Sequence, residues 1–275
     1  MKLLRNTIEQ FVVLVGLSIW AATAAGASSH PAARALVDID DLCVVTSQME
    51  RDYAIEGMEI AQKVSAARLH QSEQLLKKEF ADVEKAKLPP ALHEEVVGLA
   101  HEWDGILAIL NTAPKRSQMK TLDHEVKKFA ERCEHVADDV EAKSDVSGSE
   151  DALLLSDYDV DTQRLAALYM MRAWGVSDPH YDAEAKALLQ NSSKVIARLS
   201  SSSQLSAESK AHLKTIQKHF KLFEFMAVRE THRFVPALMN TKADKIVDEI
   251  NQVLDKELAM LGLAGQMGFY EVKLC

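Results

Sequence analysis

Ten histidines and three cysteines are the first places to look for chemistry in this chain. A carboxylate-bridged di-iron bundle needs Glu-x-x-His on each of two helices, because side chains at i and i+3 share a helix face and converge on one metal. None of the ten histidines has Glu or Asp three positions earlier. Glu131/His135, His135/Asp139 and Glu208/His212 do stand at the i,i+4 spacing of helical ligands. Helices rich in Glu and Asp make such pairs as ordinary solvated surface, so no metal site and no cofactor is read from them. His93 and His101 lie two turns apart, as do His212 and His219, in each case without a third ligand. There is no G-x-S-x-G nucleophile turn and no glycine-rich phosphate loop. The expectation is a protein that is not an enzyme. Cys43, Cys133 and Cys275 form no C-x-x-C motif. One bridge at most is available, with Cys43–Cys133 the candidate in an oxidising compartment and Cys275 left free.

The compartment follows from the first residues. Lys2 and Arg5 precede a nearly continuous apolar run beginning at Phe11, and small residues follow through Ser29. That is the order of a secretory signal peptide, with Ala22-Thr23-Ala24 and Ala25-Gly26-Ala27 as small-x-small cleavage sites. Residues 1–27 are read as this signal, with an uncleaved anchor as the competing reading. Processing leaves 30 basic against 40 acidic residues. An acidic exported chain lacks the electrostatic footprint of a nucleic-acid binder. No later stretch is apolar enough to cross a bilayer, so the chain is expected to be periplasmic or secreted and not membrane-spanning once processed.

Any site must be positioned by helices. The 275 residues hold 47% hydrophobic and 27% charged residues, with ten Gly and six Pro, too few turn residues for an all-β fold. Leu92, Val96, Leu99, Trp103, Ile106 and Leu110 recur every three or four positions, as do Leu122, Val126, Phe129, Cys133, Val136 and Val140. Leu213, Ile216, Phe220, Phe223 and Ala227 form a third stripe, and Val247, Ile250, Leu254, Leu258 and Leu261 a fourth. Each is one apolar face of a helix. Less regular stripes at 41–66, 69–87, 153–176 and 180–200 bring the total to eight. Pro89-Pro90, Thr112-Ala113-Pro114, Ser144 to Ser149, Asp178-Pro179, Ser200 to Ser203 and Val235-Pro236 separate them. Asp178 reads as an N-cap, with Pro179 at the first helical position. Short connections make successive helices antiparallel neighbours. The predicted fold is all-α: two tandem up-and-down four-helix bundles after a signal peptide, over 38–143 and 151–261, with a tail at 262–275.

The halves also resemble each other. Arg51 to Met58 lies 116 positions before Ala167 to Trp174, which sets Tyr53 on Tyr169 and Met58 on Trp174; Trp103 lies 117 before Phe220. We read an internal duplication.

The segment Thr162-Gln163-Arg164-Leu165-Ala166-Ala167-Leu168-Tyr169-Met170-Met171-Arg172-Ala173-Trp174-Gly175-Val176, followed by Asp178-Pro179 and Tyr181, resembles the first helix of the PilJ/NarX-like sensor domain. This is the N-terminal domain of type IV pili methyl-accepting chemotaxis transducers. Thr46-Ser47-Gln48-Met49 with Asp52-Tyr53 is a shorter echo, and Phe220 to Glu224 and Val235-Pro236 are similar to later parts of that domain. Two copies span about residues 38–261. The resemblance implies an extracytoplasmic four-helix bundle that senses a ligand or a protein, and in the nitrate-sensor branch an oxyanion held by Arg on the first helix. Arg suits oxyanions because its guanidinium is planar, permanently charged and bidentate. In this chain the first family Arg falls on Cys43 and on Asp159, and only the second survives, as Arg164, with Gln48 as its counterpart. Signalling members return through a second membrane helix, and none is expected in the fourteen residues after Leu261.

Arg164, Tyr169, Arg172, Trp174, Gln48 and Tyr53 are the candidate ligand-binding residues implied. The alternative for Arg164 is a structural salt bridge, and for the aromatics a place in the core or at a bundle end. The expected role is a periplasmic sensory or ligand-binding module for a small molecule. An interaction adaptor for an envelope complex, such as a pilus-linked chemoreceptor, is the other reading, and a homodimer stays open.

Overall fold

A computed structural model of the protein describes residues 30–85, 90–143, 148–176, 178–228 and 234–260. The signal segment at 1–27, the tail at 262–275, Leu261 and Cys275 lie outside the described residues. Eight α-helices and no strand occur among them. They are α1 (His30–Gly57), α2 (Gln62–Lys85), α3 (Pro90–Leu110), α4 (Arg116–Lys143), α5 (Glu150–Ala173), α6 (Tyr181–Ser201), α7 (Ala207–Val228) and α8 (Pro236–Met260). No described helix is long and apolar enough to cross a membrane.

Where their side chains are described, the stripes are the buried faces. In α4, Met119 joins Leu122, Val126, Phe129, Cys133, Val136 and Val140 in one buried row. In α8 the row is rotated by a residue from the expected one: Ile246 and Val253 are buried with Ile250, Leu254 and Leu258, and Val247 is only half-buried. The stripe expected at 41–66 proves to be two helices. α1 starts at His30 and ends at Gly57, and the chain turns through Glu59 and Ala61, both at positive φ (60° and 49°). α6 begins at Tyr181, later than the expected start at Pro179: the Asp178 carboxylate accepts from the His180 N–H at 2.9 Å and closes a turn ahead of the helix.

α1 packs on α2 and α4, α2 on α3, and α3 on α4; α5 packs on α6 and α8, α6 on α7, and α7 on α8. The most extensive contact of all joins α1 to α5. Glu50 meets Arg164 and Gly57 meets Trp174, so residue numbers rise together and the two helices run parallel. A Cβ on Gly57 would sit 2.1 Å from the Trp174 ring, and only glycine allows this approach. The core is continuous across this seam.

The two central helices also share local hydrogen bonds at a constant offset of 116. Thr46 Oγ1 donates to the Leu42 carbonyl at 2.6 Å, and Thr162 Oγ1 to that of Tyr158 at 2.8 Å. At the C-terminus of α1, the N–H groups of Met58, Glu59 and Ile60 bond the carbonyls of Ala54, Glu56 and Ile55. At the C-terminus of α5, those of Trp174, Gly175 and Val176 bond Met170, Arg172 and Met171. The left-handed residue that closes the helix is Glu59 in one and Gly175 (φ 82°) in the other.

Candidate functional site

A helix contacted on three sides has no solvated face for its polar residues. α1 therefore buries Thr46, Ser47, Glu50, Arg51 and Asp52, and α5 buries Thr162, Gln163 and Arg164. Charges in such positions survive only when paired, because desolvating a lone ion costs several kcal/mol or more.

Two charge clusters satisfy this along the seam. Arg164 donates from Nη1 to Glu50 Oε2 at 2.8 Å and from Nε to Glu184 Oε1 at 2.7 Å, and its Nη2 lies 2.8 Å from Asp123 Oδ1. Lys127 stands 3.6 Å from Glu184. These partners come from α1, α6 and α4. Burial pushes the Glu50 carboxyl up to about 8 although Arg164 pulls the other way, and Arg164 itself is held further into its charged form by Glu50 and Asp123. In the second cluster Arg51 donates to Asp244 Oδ1 at 2.8 Å, and Arg68 to Asp244 Oδ2 at 3.1 Å and to Asp52. Asn240 steadies Asp244 from one turn earlier, at 3.1 Å. Arg51 is only 1% exposed, one of the largest fully buried side chains.

The expected ligand residues divide between two places. Arg164 lies in the first cluster, with its donors directed at three carboxylates. Gln48 is half-buried on α1. Tyr53, Trp174, Tyr169 and Arg172 gather near the C-terminal ends of the central helices. Tyr53 meets Trp174 edge-on at 6.4 Å, and Tyr169 meets Phe234 at 5.5 Å. The Tyr53 hydroxyl accepts from the Lys115 N–H at 3.3 Å, just before α4, and that of Tyr169 from the Val235 N–H at 2.9 Å, just before α8. Arg172 pairs with Asp182 at 3.0 Å and lies 6.0 Å from the Phe234 ring centre. Trp174 lines an open depression with Gly57, Met58, Arg116 and Phe234.

A groove of about 560 Å³ runs beside the first cluster between α1, α4, α5 and α6. Nine acidic side chains line it, among them Asp40, Glu134, Asp157 and Asp161, against Lys127, Arg164 and Arg198. Leu36, Leu154, Val160 and Leu188 supply apolar wall. Burial and then the nearby Asp157 raise Asp40 to about 8, and burial raises Asp161 to about 6 against the hydrogen bond from Asn191.

The helical His/carboxylate pairs do not converge. Asp139 is taken by Lys143 and Glu208 by Lys256, while His212 Nδ1 lies 2.6 Å from Glu249 on α8. Cys43 and Cys133 are brought together as buried free thiols, and burial followed by the neighbouring Cys133 raises the Cys43 thiol. Glu50, Arg51, Asp52, Arg68, Asp123, Glu184 and Asp244 were not singled out as site residues in the sequence, although Arg51 and Asp52 lie in the segments that carry the repeat and the resemblance. Their one signal is the charged triplet Glu50-Arg51-Asp52 directly beside Tyr53 and its apolar neighbours.

Comparison of the chain with protein-family models, with curated proteins and with solved structures gave no match.

Proposed function

We propose that the chain is an exported binding module built as two four-helix bundles in tandem, and that its ligand is a cation seated in the acidic groove at the seam between them. The tandem reading rests on the hydrogen bonds repeated at an offset of 116 in α1 and α5. Two tyrosines 116 apart also each tie down the segment before a fourth helix. The parallel packing of α1 on α5 would set the two copies against each other within one chain as separate copies would pair in a dimer.

The observation that carries the ligand class is the lining of the groove, nine carboxylates to three bases over apolar wall. Clefts lined by one sign of charge concentrate counter-ions of the other. Arg164 does not offset this, since Glu50 occupies the position an anionic ligand would take. A flexible polyamine, with ammonium groups spaced by methylenes, fits both the acidic walls and the apolar surface. Thermal unfolding with putrescine and spermidine, against nitrate and sulfate, tests this. The polyamines are expected to raise the melting temperature of the wild type and not of a Glu134→Gln/Asp157→Asn variant. A shift with the anions, or none with the amines, removes the reading.

The adaptor reading draws on a different surface. Leu222 and Phe225, three residues apart on α7, are exposed, as are Val235 just before α8 and Leu238 within it, and exposed apolar patches mark contact surfaces.

A further inference from the structure

On the other side of α1 from the groove, we propose that Asp38 and Asp41 of α1 and Glu79 of α2, with Asp159 of α5 beside them, form a binding site for a hard divalent cation, calcium by preference. Asp38 and Asp41 are three residues apart and share a face of α1. The antiparallel return of α2 sets Glu79 against them. One carboxylate oxygen from each of the three lies within 4.8 Å of the other two. Oxygens that share a calcium at 2.3–2.6 Å can stand no more than about 5 Å apart, so the spacing admits a common ion.

Two further observations point to a ligand. Glu79 is 3% exposed, and its Oε2 is sealed from solvent with no hydrogen-bond partner, although Lys78 stands 3.4 Å from the other oxygen. Asp159, 5% exposed and on a third helix, likewise has a sealed Oδ1 with no hydrogen-bond partner. Its charge acts on Asp41. Crowded carboxylates of this kind are relieved by protons or by a cation, and a divalent ion supplies two charges to one point. The donor set is all oxygen. Zinc and copper favour imidazole or thiolate, and magnesium keeps several waters in a strict octahedron, whereas calcium accepts irregular carboxylate shells.

This site is separate from the groove and does not depend on its occupant. The test uses the full chain, stripped with chelator and titrated with calcium chloride by calorimetry and thermal unfolding, with sodium chloride at matched ionic strength as control. The wild type is expected to bind one calcium and to melt higher with it. Glu79→Gln keeps the side-chain shape while removing a charge. It should weaken calcium binding by more than about tenfold, because affinity follows ligand charge, and without calcium it should melt no lower than the wild type. Asp41→Asn, at a half-buried position, should show the same loss. The groove variant Glu134→Gln/Asp157→Asn should keep the calcium response. No calcium-dependent shift in the wild type overturns the proposal, and so does an undiminished shift in both Glu79→Gln and Asp41→Asn, which would mark diffuse binding to an acidic surface.

Discussion

The two charge clusters on the α1–α5 seam occupy comparable places and are balanced differently. Each combines a first helix, the second helix of its own half and the fourth helix of the other half: Arg164 with Glu184 and Asp123, and Arg51 with Arg68 and Asp244. Arg68 and Glu184 are 116 residues apart, the same interval that relates Tyr53 to Tyr169. At one position the chain holds a base and at the other an acid. The Arg51 cluster sets two guanidiniums against Asp52 and Asp244, whereas the Arg164 cluster sets one guanidinium against three carboxylates. The first is close to neutral as built. The second is in acid excess and depends chiefly on one guanidinium, with Lys127 reaching only Glu184.

The largest way to break this contrast is to remove that cation. Arg164→Ala leaves Glu50, Asp123 and Glu184 facing one another and is expected to cost about 3–5 kcal/mol in urea unfolding. Asp244→Ala should cost less, about 1–3 kcal/mol: the bonds from Arg51, Arg68 and Asn240 are lost, but Arg68 keeps Asp52, which also stands 4.0 Å from Arg51. Equal losses would mean that the clusters are balanced alike.

A second experiment sharpens the contrast through pH. Glu50 is raised from 4.5 to about 8 by burial. Between those values the folded chain holds a proton that the unfolded chain has released, so stability falls as pH rises through that window. Asp40 and Asp159, also raised to about 8, act in the same direction. Unfolding measured from pH 5 to pH 8 should therefore show declining stability, and Glu50→Gln should flatten the slope by up to about 1.4 kcal/mol per pH unit. An unchanged slope would show that Glu50 ionises freely in the folded state.

The smallest effect lies at the helix ends, where α1 and α5 close with the same hydrogen bonds on different residues. Gly175→Ala is expected to destabilise by about 1 kcal/mol, since a side chain resists the left-handed conformation. Glu59→Gly should stabilise by roughly 0.5 kcal/mol, because the freedom glycine gains in the unfolded chain offsets part of the relief. Melting temperatures of the two variants should move in opposite directions.

Peripheral helices such as α3 and α4 were legible in the sequence because one face meets the core and the other meets water, which writes a three-four spacing into the residues. The central helices carry no such record. α5 is buried continuously from Thr162 to Met171, so periodicity has little to say about which side faces what. The break after Gly57 was displaced in the reading because the turn uses Glu59 and Ala61 where glycine or proline would be the usual marker. The site suffered for the same reason. Glu50, Arg51 and Asp52 look like a solvated patch until α5 and α8 are placed over them, and Asp123 and Asp244 look like ordinary surface acids of α4 and α8 until they are seen reaching a helix of the opposite half. Arg164 could be singled out, but not the carboxylates that claim it.

The apolar interior that passes without interruption from α1 to α5 leaves the chain no natural place to be cut. Parting the polypeptide between Lys143 and Glu150 would strip water-avoiding surface bare on both fragments along their entire central helix, so each piece would need the other as a chaperone. Whatever the covalent linker contributes, the halves are bound chiefly by what they jointly hide.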